Sequence, residues 1–364
     1  MRLFQFTTFG NYLPYFNDKF PEAREYLYQE RLNLLINQSY AGLHILDPIL
    51  KNHEYARYTV ADDTILQEQW AREAGIKSQN IVGILLAQIE DHKTEVLYTL
   101  SPILFDSSFV RRLPGCVRKT ICWRAAPHGN ADLSAYDLRV CNFPVFIKDW
   151  NSKGMRAAWF CPSYDPAMEK YSRNVDRPID ISFVGGFSRK HLLRNQILRK
   201  IAALSERYNL EIHLTYASWI KTLNMIPFAT SVFSGLELPE RLLRINHPPV
   251  FGLDLYDLFS RSKIVFNGAI DMAREYRGNM RCFEVMGCGA IMLSDEGIYP
   301  DGFIPGTHFI VYKNKTDVIP KVVEILENYE EHKSKGFAGA YMLKSKYSKE
   351  WQWSLFQKLV DDLG

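Results

Sequence analysis

The sequence has 364 residues, enough for two domains of ordinary size, and its 47% apolar and 23% charged residues are typical of globular proteins. A formal charge of +3 without a long Lys/Arg run argues against a nucleic-acid partner, and six cysteines without a C-x-x-C pair argue against zinc and thioredoxin-type sites. No signal peptide is recognised, and the longest apolar run, residues 81–89, is too short to span a bilayer, so we expect a cytoplasmic protein.

The amino-terminal half alternates between predicted strands and helices, which favours a parallel sheet covered by helices. Apolar, β-branched and aromatic runs predict strands at residues 2–9, 95–101, 119–127, 138–144 and 156–162. Helical patterns cover residues 22–38, 63–75 and 79–92, with a loop expected at residues 10–16. The polar segment 165–178 interrupts the alternation and is the best candidate for a linker.

The same alternation continues in the second half. Strands are predicted at residues 180–184, 211–216, 262–266 and 290–295, with an edge strand at 309–314. Helices are predicted at residues 190–208, 254–262, 281–289, 315–331 and 348–363. The sequence supports no assignment for residues 217–249.

The most informative stretch is residues 267–296, where a polar loop connects a buried strand to a helix. Ligands of open α/β sheets bind outside the carboxyl ends of the strands. A helix amino end adds free backbone N–H groups and a favourable dipole for anions. The loop at residues 275–280 is therefore predicted to form a ligand pocket.

This stretch resembles the nucleotide-sugar half of the GT-B glycosyltransferases, in particular the GT4-like group that includes the CgeB-type proteins. The family pattern N-x-R-x-F-E-x-x-x-x-G, followed by a strand ending in Asp, is matched by Asn279, Arg281, Phe283, Glu284, Gly289 and Asp295. Residues 180–198 and 252–267 resemble two further family blocks in the expected order.

The resemblance implies an α/β fold of the GT-B type, with two Rossmann-like domains facing a central cleft. Residues 1–170 would form the acceptor-binding domain and residues 171–345 the nucleotide-sugar-binding domain. The last helix, within residues 346–364, would cross back to the first domain.

The resemblance also implies donor-binding residues at the start of the second domain. Gly185 and Gly186 form a turn after the first strand, and Arg189 and Lys190 follow at a helix start. Cations are unfavourable there without an anion, which favours phosphate binding over two solvated charges. Arg194 matches the same family block.

A second set of donor-binding residues lies around the polar loop. Gly278 and Met280 offer backbone N–H groups to the diphosphate, and Arg281 offers its guanidinium. Glu284 resembles the family glutamate that accepts hydrogen bonds from the ribose hydroxyls. The alternative is a first-turn glutamate that only stabilises its helix.

The candidate catalytic residues are Glu275, Asn279 and His128. Many retaining GT4 enzymes carry two glutamates separated by seven residues, but this spacing falls on Tyr276, one position from Glu275. Asn279 is placed to contact the diphosphate or the sugar. His128 follows a predicted strand of the first domain and would contact the sugar or the acceptor, unless it is only a surface residue.

The sequence thus predicts a glycosyltransferase of the EC 2.4 class that moves a sugar from a nucleotide-diphosphate donor to a glycan, lipid-linked or small-molecule acceptor. We expect no cofactor and no metal, because no D-x-D motif occurs in a suitable loop. A retaining outcome is expected, although Asp132 or Asp137 could serve as the base of an inverting enzyme. A peripheral contact with the inner face of the membrane stays open.

Two alternatives keep the same donor half. One is a non-catalytic nucleotide-sugar-binding subunit, and the other is a sugar-nucleotide epimerase or hydrolase. An NAD-linked dehydrogenase is disfavoured because residues 184–191, VGGFSRKH, lack the G-x-G-x-x-G spacing.

Overall fold

The structure, a computed structural model, describes residues 1–77, 80–188, 191–216, 238–268 and 271–364. The chain divides into two compact units. Unit 1 comprises Met1–Ser163 and Lys349–Gly364, and unit 2 comprises Tyr164–Ser348. These divisions lie at residues 163/164 and 348/349, whereas the sequence analysis placed them at 170/171 and 345/346.

Unit 1 is built on a six-stranded parallel sheet with the order β2-β1-β3-β4-β5-β6. Its strands are β1 (Leu3–Thr7), β2 (Ala56–Val60), β3 (Val96–Thr99), β4 (Lys119–Trp123), β5 (Leu138–Cys141) and β6 (Ala157–Trp159). The five strands predicted for this half are confirmed. The sequence analysis missed β2, an edge strand whose first two residues are only half-buried or exposed, so its apolar pattern is weak.

Seven helices accompany these strands in the described part of unit 1 before residue 163. They are α1 (Tyr12–Lys19), α2 (Tyr28–Asn37), α3 (Asp47–Leu50), α4 (Thr64–Glu73), α5 (Ile81–Asp91), α6 (Ser107–Val110) and α7 (Pro144–Ser152). The predicted loop at residues 10–16 was wrong, because Pro14 lies in the first turn of α1, where proline is tolerated. The predicted helix 22–38 is split into a 3₁₀ turn, Pro21–Arg24, and α2.

The core of unit 1 combines apolar packing with one buried ion pair. Phe4, Phe6 and Leu97 of the sheet pack with apolar residues of α5 and with two phenylalanines, one in α6 and one just before it. The guanidinium of Arg31 donates to both carboxylate oxygens of Asp63, Nε to Oδ2 at 2.8 Å and Nη2 to Oδ1 at 3.0 Å, and both side chains are buried. Asp63 also caps α4, so the pair ties α2 to α4.

Unit 2 contains a five-stranded parallel sheet with the order β11-β10-β9-β7-β8. Its strands are β7 (Ile179–Gly186), β8 (Leu210–Thr215), β9 (Ser262–Asn267), β10 (Ile291–Asp295) and β11 (Ile310–Tyr312). All five confirm predicted strands, and β11 is the edge strand that the sequence indicated. Because β8 and β9 lie on opposite sides of β7, the carboxyl ends of β7 and β9 form the topological switch point.

The described helices of unit 2 lie before, between and after these strands. They are α8 (Met168–Ser172), α9 (Leu192–Ala202), α10 (Glu240–Arg244), α11 (Gly252–Ser260), α12 (Met280–Gly287), α13 (Val318–Glu327) and α14 (Tyr329–Lys346). The predicted helix 315–331 is divided at Asn328 into α13 and α14. The predicted linker 165–178 belongs to unit 2, where buried Arg177 donates to the carbonyls of Phe259, Ser262 and Cys288.

The last helix, α15 (Lys349–Asp361), belongs to unit 1. The buried Lys349 Nζ donates to the backbone carbonyls of Gly42 and Ile45, and Gln352 Nε2 donates to the carbonyl of Cys161 at 2.9 Å. Among the helices that the structure describes, none combines the length and the apolar character needed to cross a membrane.

Candidate functional site

The candidate site is the connection between β9 and α12 in unit 2. Asn279 is the N-cap residue of α12, and its carbonyl accepts a hydrogen bond from Cys282 N at 2.9 Å. Gly278 precedes it with φ +119°, a backbone conformation that favours glycine. The backbone N–H groups of Met280 and Arg281 therefore lie in the first turn of a helix, where no intrahelical acceptor is available.

Two asparagine amides join the start of α12 to the sheet. Asn267 Nδ2 donates to Asn279 Oδ1 at 3.2 Å, and Asn279 Nδ2 donates to Asn267 Oδ1 at 3.1 Å. Asn267, the last residue of β9, also donates to Ser294 Oγ of β10 at 3.1 Å. The predicted site residue Asn279 is thus held by the carboxyl end of β9, and Asn267 links this contact to β10.

Arg281 and Glu284 form an ion pair on one face of α12. Arg281 Nη1 donates to Glu284 Oε2 at 2.6 Å, and its guanidinium carbon lies 5.1 Å from the centroid of the Phe259 ring. Glu284 is 7% exposed, which agrees with the expectation that it is buried with a partner. Burial raises the pKa of Glu284; Arg281 opposes this increase and Asp165 adds to it. The phosphate and ribose roles of the two residues stay predictions.

Asp165 is a buried carboxylate near this pair that the sequence analysis assigned to a linker. Its Oδ2 accepts a hydrogen bond from Tyr256 Oη at 3.0 Å, and its Oδ1 accepts one from Ala167 N at 3.0 Å. The candidate site therefore includes two buried carboxylates, those of Asp165 and Glu284, and Asp165 contributes to raising the pKa of Glu284. No local sequence signal pointed to Asp165, because its neighbours in space come from α11 and α12.

Arg194 occupies the switch point between β7 and β9. Its Nη2 donates to the carbonyl of Gly186, and its guanidinium carbon lies 5.5 Å from the centroid of the Phe183 ring. A Cβ at Gly268 would lie 2.7 Å from Cγ and Cδ of Arg194, so the glycine allows the arginine stem to pack there. Gly185 and Gly186, which were predicted to form a turn, are instead the last two residues of β7, and a Cβ at Gly185 would lie 2.8 Å from the Phe183 ring.

The other site residues predicted after β7 and β9 are either exposed or outside the described residues. Arg189 and Lys190 lie outside the described residues. The side chain of Glu275 is exposed, whereas its carbonyl accepts a hydrogen bond from Ile298 N at 2.8 Å. Met280 is 39% exposed at the first position of α12.

The sequence analysis missed Arg277, which lies inside the predicted pocket loop. Its Nε is 2.7 Å from Asp295 Oδ2, at the carboxyl end of β10. The only available signal was indirect, because the family pattern already required an aspartate at the end of that strand.

The candidates in unit 1 have local partners. His128 lies in the loop after β4 and its Nδ1 contacts the carbonyl of Ala131 at 2.9 Å. Asp132 accepts from Ser134 N at 2.8 Å, and hydrogen bonds from Ser134 lower the pKa of Asp132. Asp137 accepts from the backbone N and the hydroxyl of Thr120 at 2.7 and 2.8 Å. Asp132 thus makes a local turn contact, whereas Asp137 is bonded to Thr120 of β4.

Potential metal ligands are not clustered in the described ranges. Across residues 1–77, 80–188, 191–216, 238–268 and 271–364, no group of three or more His, Cys, Asp or Glu side chains is arranged to hold a metal ion.

A family of glycosyl transferase-like proteins matches residues 194–356, which include β9, α12 and the loop between them. No curated protein matches the chain. Among solved structures, HepE from Anabaena in complex with UDP-glucose aligns with a TM-score of 0.56 and 10% identity over 99% of each chain.

Two further structures share the fold. A glycosyltransferase from Rickettsia africae aligns with a TM-score of 0.50 and 11% identity, over 99% of this chain and 98% of that one. A variant of TarM from S. aureus aligns with a TM-score of 0.52 and 10% identity. The alignment covers 78% of this chain and only 59% of the TarM chain. The chain thus has the fold of these structures, two parallel-sheet α/β units, and its residues 194–356 match the glycosyl transferase-like family.

Proposed function

We propose that the chain transfers a glycosyl group from a nucleoside-diphosphate sugar to a hydroxyl of a glycan, lipid-linked or small-molecule acceptor. The observation that carries the proposal is the Arg281–Glu284 pair in the amino-terminal half of α12, the first α-helix after β9 among the described residues. Structures that share the fold were solved with UDP and UDP-glucose, and one with UDP and alpha-GlcNAc-glycerol. These ligands define the chemical class of donor and acceptor that we assign.

The diphosphate would be bound by the first turn of α12. The N–H groups of Met280 and Arg281 point toward the amino end of the helix, where the dipole favours negative charge. Arg281 commits Nη1 to Glu284, and its other guanidinium N–H groups have no hydrogen-bond acceptor among the described residues. A guanidinium held in place by a carboxylate is well suited to charge-assisted hydrogen bonds with phosphate oxygens.

The ribose would be bound by Glu284. Only Oε2 accepts from Arg281, and no described residue donates to Oε1. A carboxylate oxygen can accept a hydrogen bond from a ribose hydroxyl, and water is largely excluded because the side chain is buried. The Arg281–Glu284 pair would thus bind the phosphate and the ribose of one ligand.

We propose a metal-independent reaction with retention of configuration. Charge on the leaving diphosphate would be balanced by Arg281, by Arg189 and Lys190, and by helix N–H groups. Glu275 is the carboxylate nearest in sequence to the family position of the first glutamate. Activity that persists in EDTA and an unchanged anomeric configuration, read by NMR, are the expected results; loss in EDTA or inversion would overturn these two assignments.

Donor binding can be tested by thermal stabilisation with UDP-, GDP-, dTDP- and ADP-sugars. A ligand at 100 times its dissociation constant adds about 2.7 kcal/mol to the free energy of unfolding. Arg281→Ala and Glu284→Ala should abolish this stabilisation while the proteins stay folded. Arg207→Ala is the matched control, because Arg207 pairs with Glu327 on the exposed surface of the same unit. Donor affinity that is unchanged in Arg281→Ala and Glu284→Ala would refute the site.

Product analysis separates the alternatives. Turnover of the donor without an acceptor would indicate an epimerase or hydrolase, and tight donor binding without turnover would indicate a non-catalytic subunit. A lipid-linked acceptor would bring the protein to the inner face of the membrane. Vesicle flotation with and without that acceptor tests this part of the proposal.

A further inference from the structure

Arg277 makes three contacts in unit 2 through one guanidinium. Its Nε lies 2.7 Å from Asp295 Oδ2, and the two side chains are only 13% and 12% exposed. Its Nη1 donates to the carbonyl of Arg274 at 2.6 Å and to that of Tyr276 at 3.1 Å. One side chain therefore binds two carbonyls of the segment 274–279 and also contacts the carboxyl end of β10.

The loop and the segment after β10 are also joined through the backbone. Ile298 N donates to the carbonyl of Glu275 at 2.8 Å, and Arg277 N donates to the carbonyl of Ile298 at 2.8 Å. Tyr276 and Ile298 form an isolated parallel bridge at this place. These two hydrogen bonds lie directly beside the Arg277–Asp295 pair.

Gly297 allows this close approach. A Cβ at Gly297 would lie 2.6 Å from the carbonyl oxygen of Glu275 and 2.8 and 2.9 Å from Cγ and Cζ of Arg277. The first of these atoms is backbone, so it cannot move aside as the end of a flexible side chain could. Any larger residue at position 297 must displace the loop.

The backbone of this loop adopts two uncommon conformations. Arg274 has φ +54°, which is uncommon for a residue with a side chain, and Gly278 has φ +119°. The Arg274 carbonyl, which follows the unusual conformation, is one of the two that Arg277 binds. The loop ends at Asn279 and Met280, which begin α12.

We propose that Arg277, Asp295 and Gly297 form a clamp that positions residues 274–279, the segment before α12, against the carboxyl end of β10. Arg277 is then a positioning residue, and its guanidinium contacts Asp295 and two carbonyls of the loop. Its role in donor binding is indirect, through Asn279 and the first turn of α12. That consequence for ligand binding rests on the proposed function, whereas the clamp itself is a property of the ligand-free protein.

The clamp can be tested without any ligand. Hydrogen exchange, read by mass spectrometry on the full chain, should be at least tenfold faster in peptides covering residues 274–279 and 296–298 of Arg277→Ala and of Asp295→Asn. Arg277→Lys should resemble Arg277→Ala, since an ammonium lacks the planar fork that contacts several acceptors at once. Arg207→Ala serves as the control and should exchange like the wild type. Exchange that is unchanged in Arg277→Ala would overturn the clamp.

Binding of UDP then separates positioning from direct contact. We expect Arg277→Ala, Asp295→Asn and the double variant to weaken UDP binding by a similar factor, about tenfold each, because both changes break the same interaction. Gly297→Ala should show the same loss. If Arg277→Ala weakens binding but Asp295→Asn does not, Arg277 contacts the nucleotide itself and the clamp is wrong as its explanation. If the wild type binds no nucleotide, the proposed function fails, and the exchange experiment still decides the clamp.

Discussion

Replacing His44 with glutamine should reduce the acid sensitivity of unit 1. His44 is buried in unit 1, with its ring centroid 4.7 Å from that of Trp123. Its Nδ1 is buried and has no hydrogen-bond partner in the described part of the chain. Burial lowers the pKa of His44 to about 3, and the nearby ammonium of Lys349 contributes to the decrease. The folded protein therefore keeps this imidazole neutral.

The effect on stability follows from the difference between the folded and unfolded pKa values. Below pH 6.5 the unfolded chain binds a proton at His44 and the folded chain does not, so stability is lost as the pH falls toward the folded pKa. At about 1.4 kcal/mol for each pH unit, the loss between pH 7 and pH 5 is about 2 kcal/mol. His44→Gln cannot titrate, so its free energy of unfolding should fall by about 2 kcal/mol less over this interval.

The measurement is urea unfolding at pH 7 and pH 5, followed by tryptophan fluorescence. Six of the seven tryptophans in the sequence belong to unit 1, so the signal reports mainly on that unit. His53→Gln is the matched control, because His53 is exposed in the same unit. A His44→Gln protein with the same pH dependence as the wild type would refute the reasoning. His92, whose pKa burial lowers to about 4, contributes equally to all three proteins.

Other predictions concern the site, the buried ion pair and helix packing. Because burial raises the pKa of Glu284, donor affinity measured by calorimetry should fall on acidification at a pH above the 4.5 of an ordinary glutamate. Asp63→Ala should cost about 3–5 kcal/mol in urea unfolding, because it leaves the fully buried Arg31 unpaired. Gly336→Ala should cost about 1–3 kcal/mol, because its Cβ would lie 2.3 Å from a backbone carbonyl oxygen before β10. Ser334→Ala, at an exposed position of the same helix, should change stability by less than about 0.5 kcal/mol.

The fold was predictable where local patterns are strong. Buried strands such as β1 and β10 consist mainly of apolar residues, and all ten strands predicted from the sequence are present. Prediction failed at β2, whose outer part is exposed, and at α1, where a proline in the first turn resembles a loop signal. It also missed the division at Asn328, because the helical pattern continues across it.

For the candidate site, the sequence predicted features of neighbouring residues within one element but not the contacts between elements. The three-residue spacing of Arg281 and Glu284 placed them on one helical face, and the sequence around Glu284 indicated burial. Their roles toward a ligand do not follow from that spacing. Arg194 was assigned to donor binding, and its contacts with Gly186 and Gly268 depend on β7 and β9 being neighbours in the sheet.

The sequence by itself determined the parallel α/β character of both halves, the position of the pocket loop after a strand, and the two charged residues of α12. Only the tertiary structure decided which groups meet there. Asn267 and Asn279 are twelve residues apart and Arg277 and Asp295 are eighteen apart, so neither pair lies within one helical turn or one strand. Periodicity predicts which face of an element is buried, but contacts between elements depend on strand order, which no local pattern encodes.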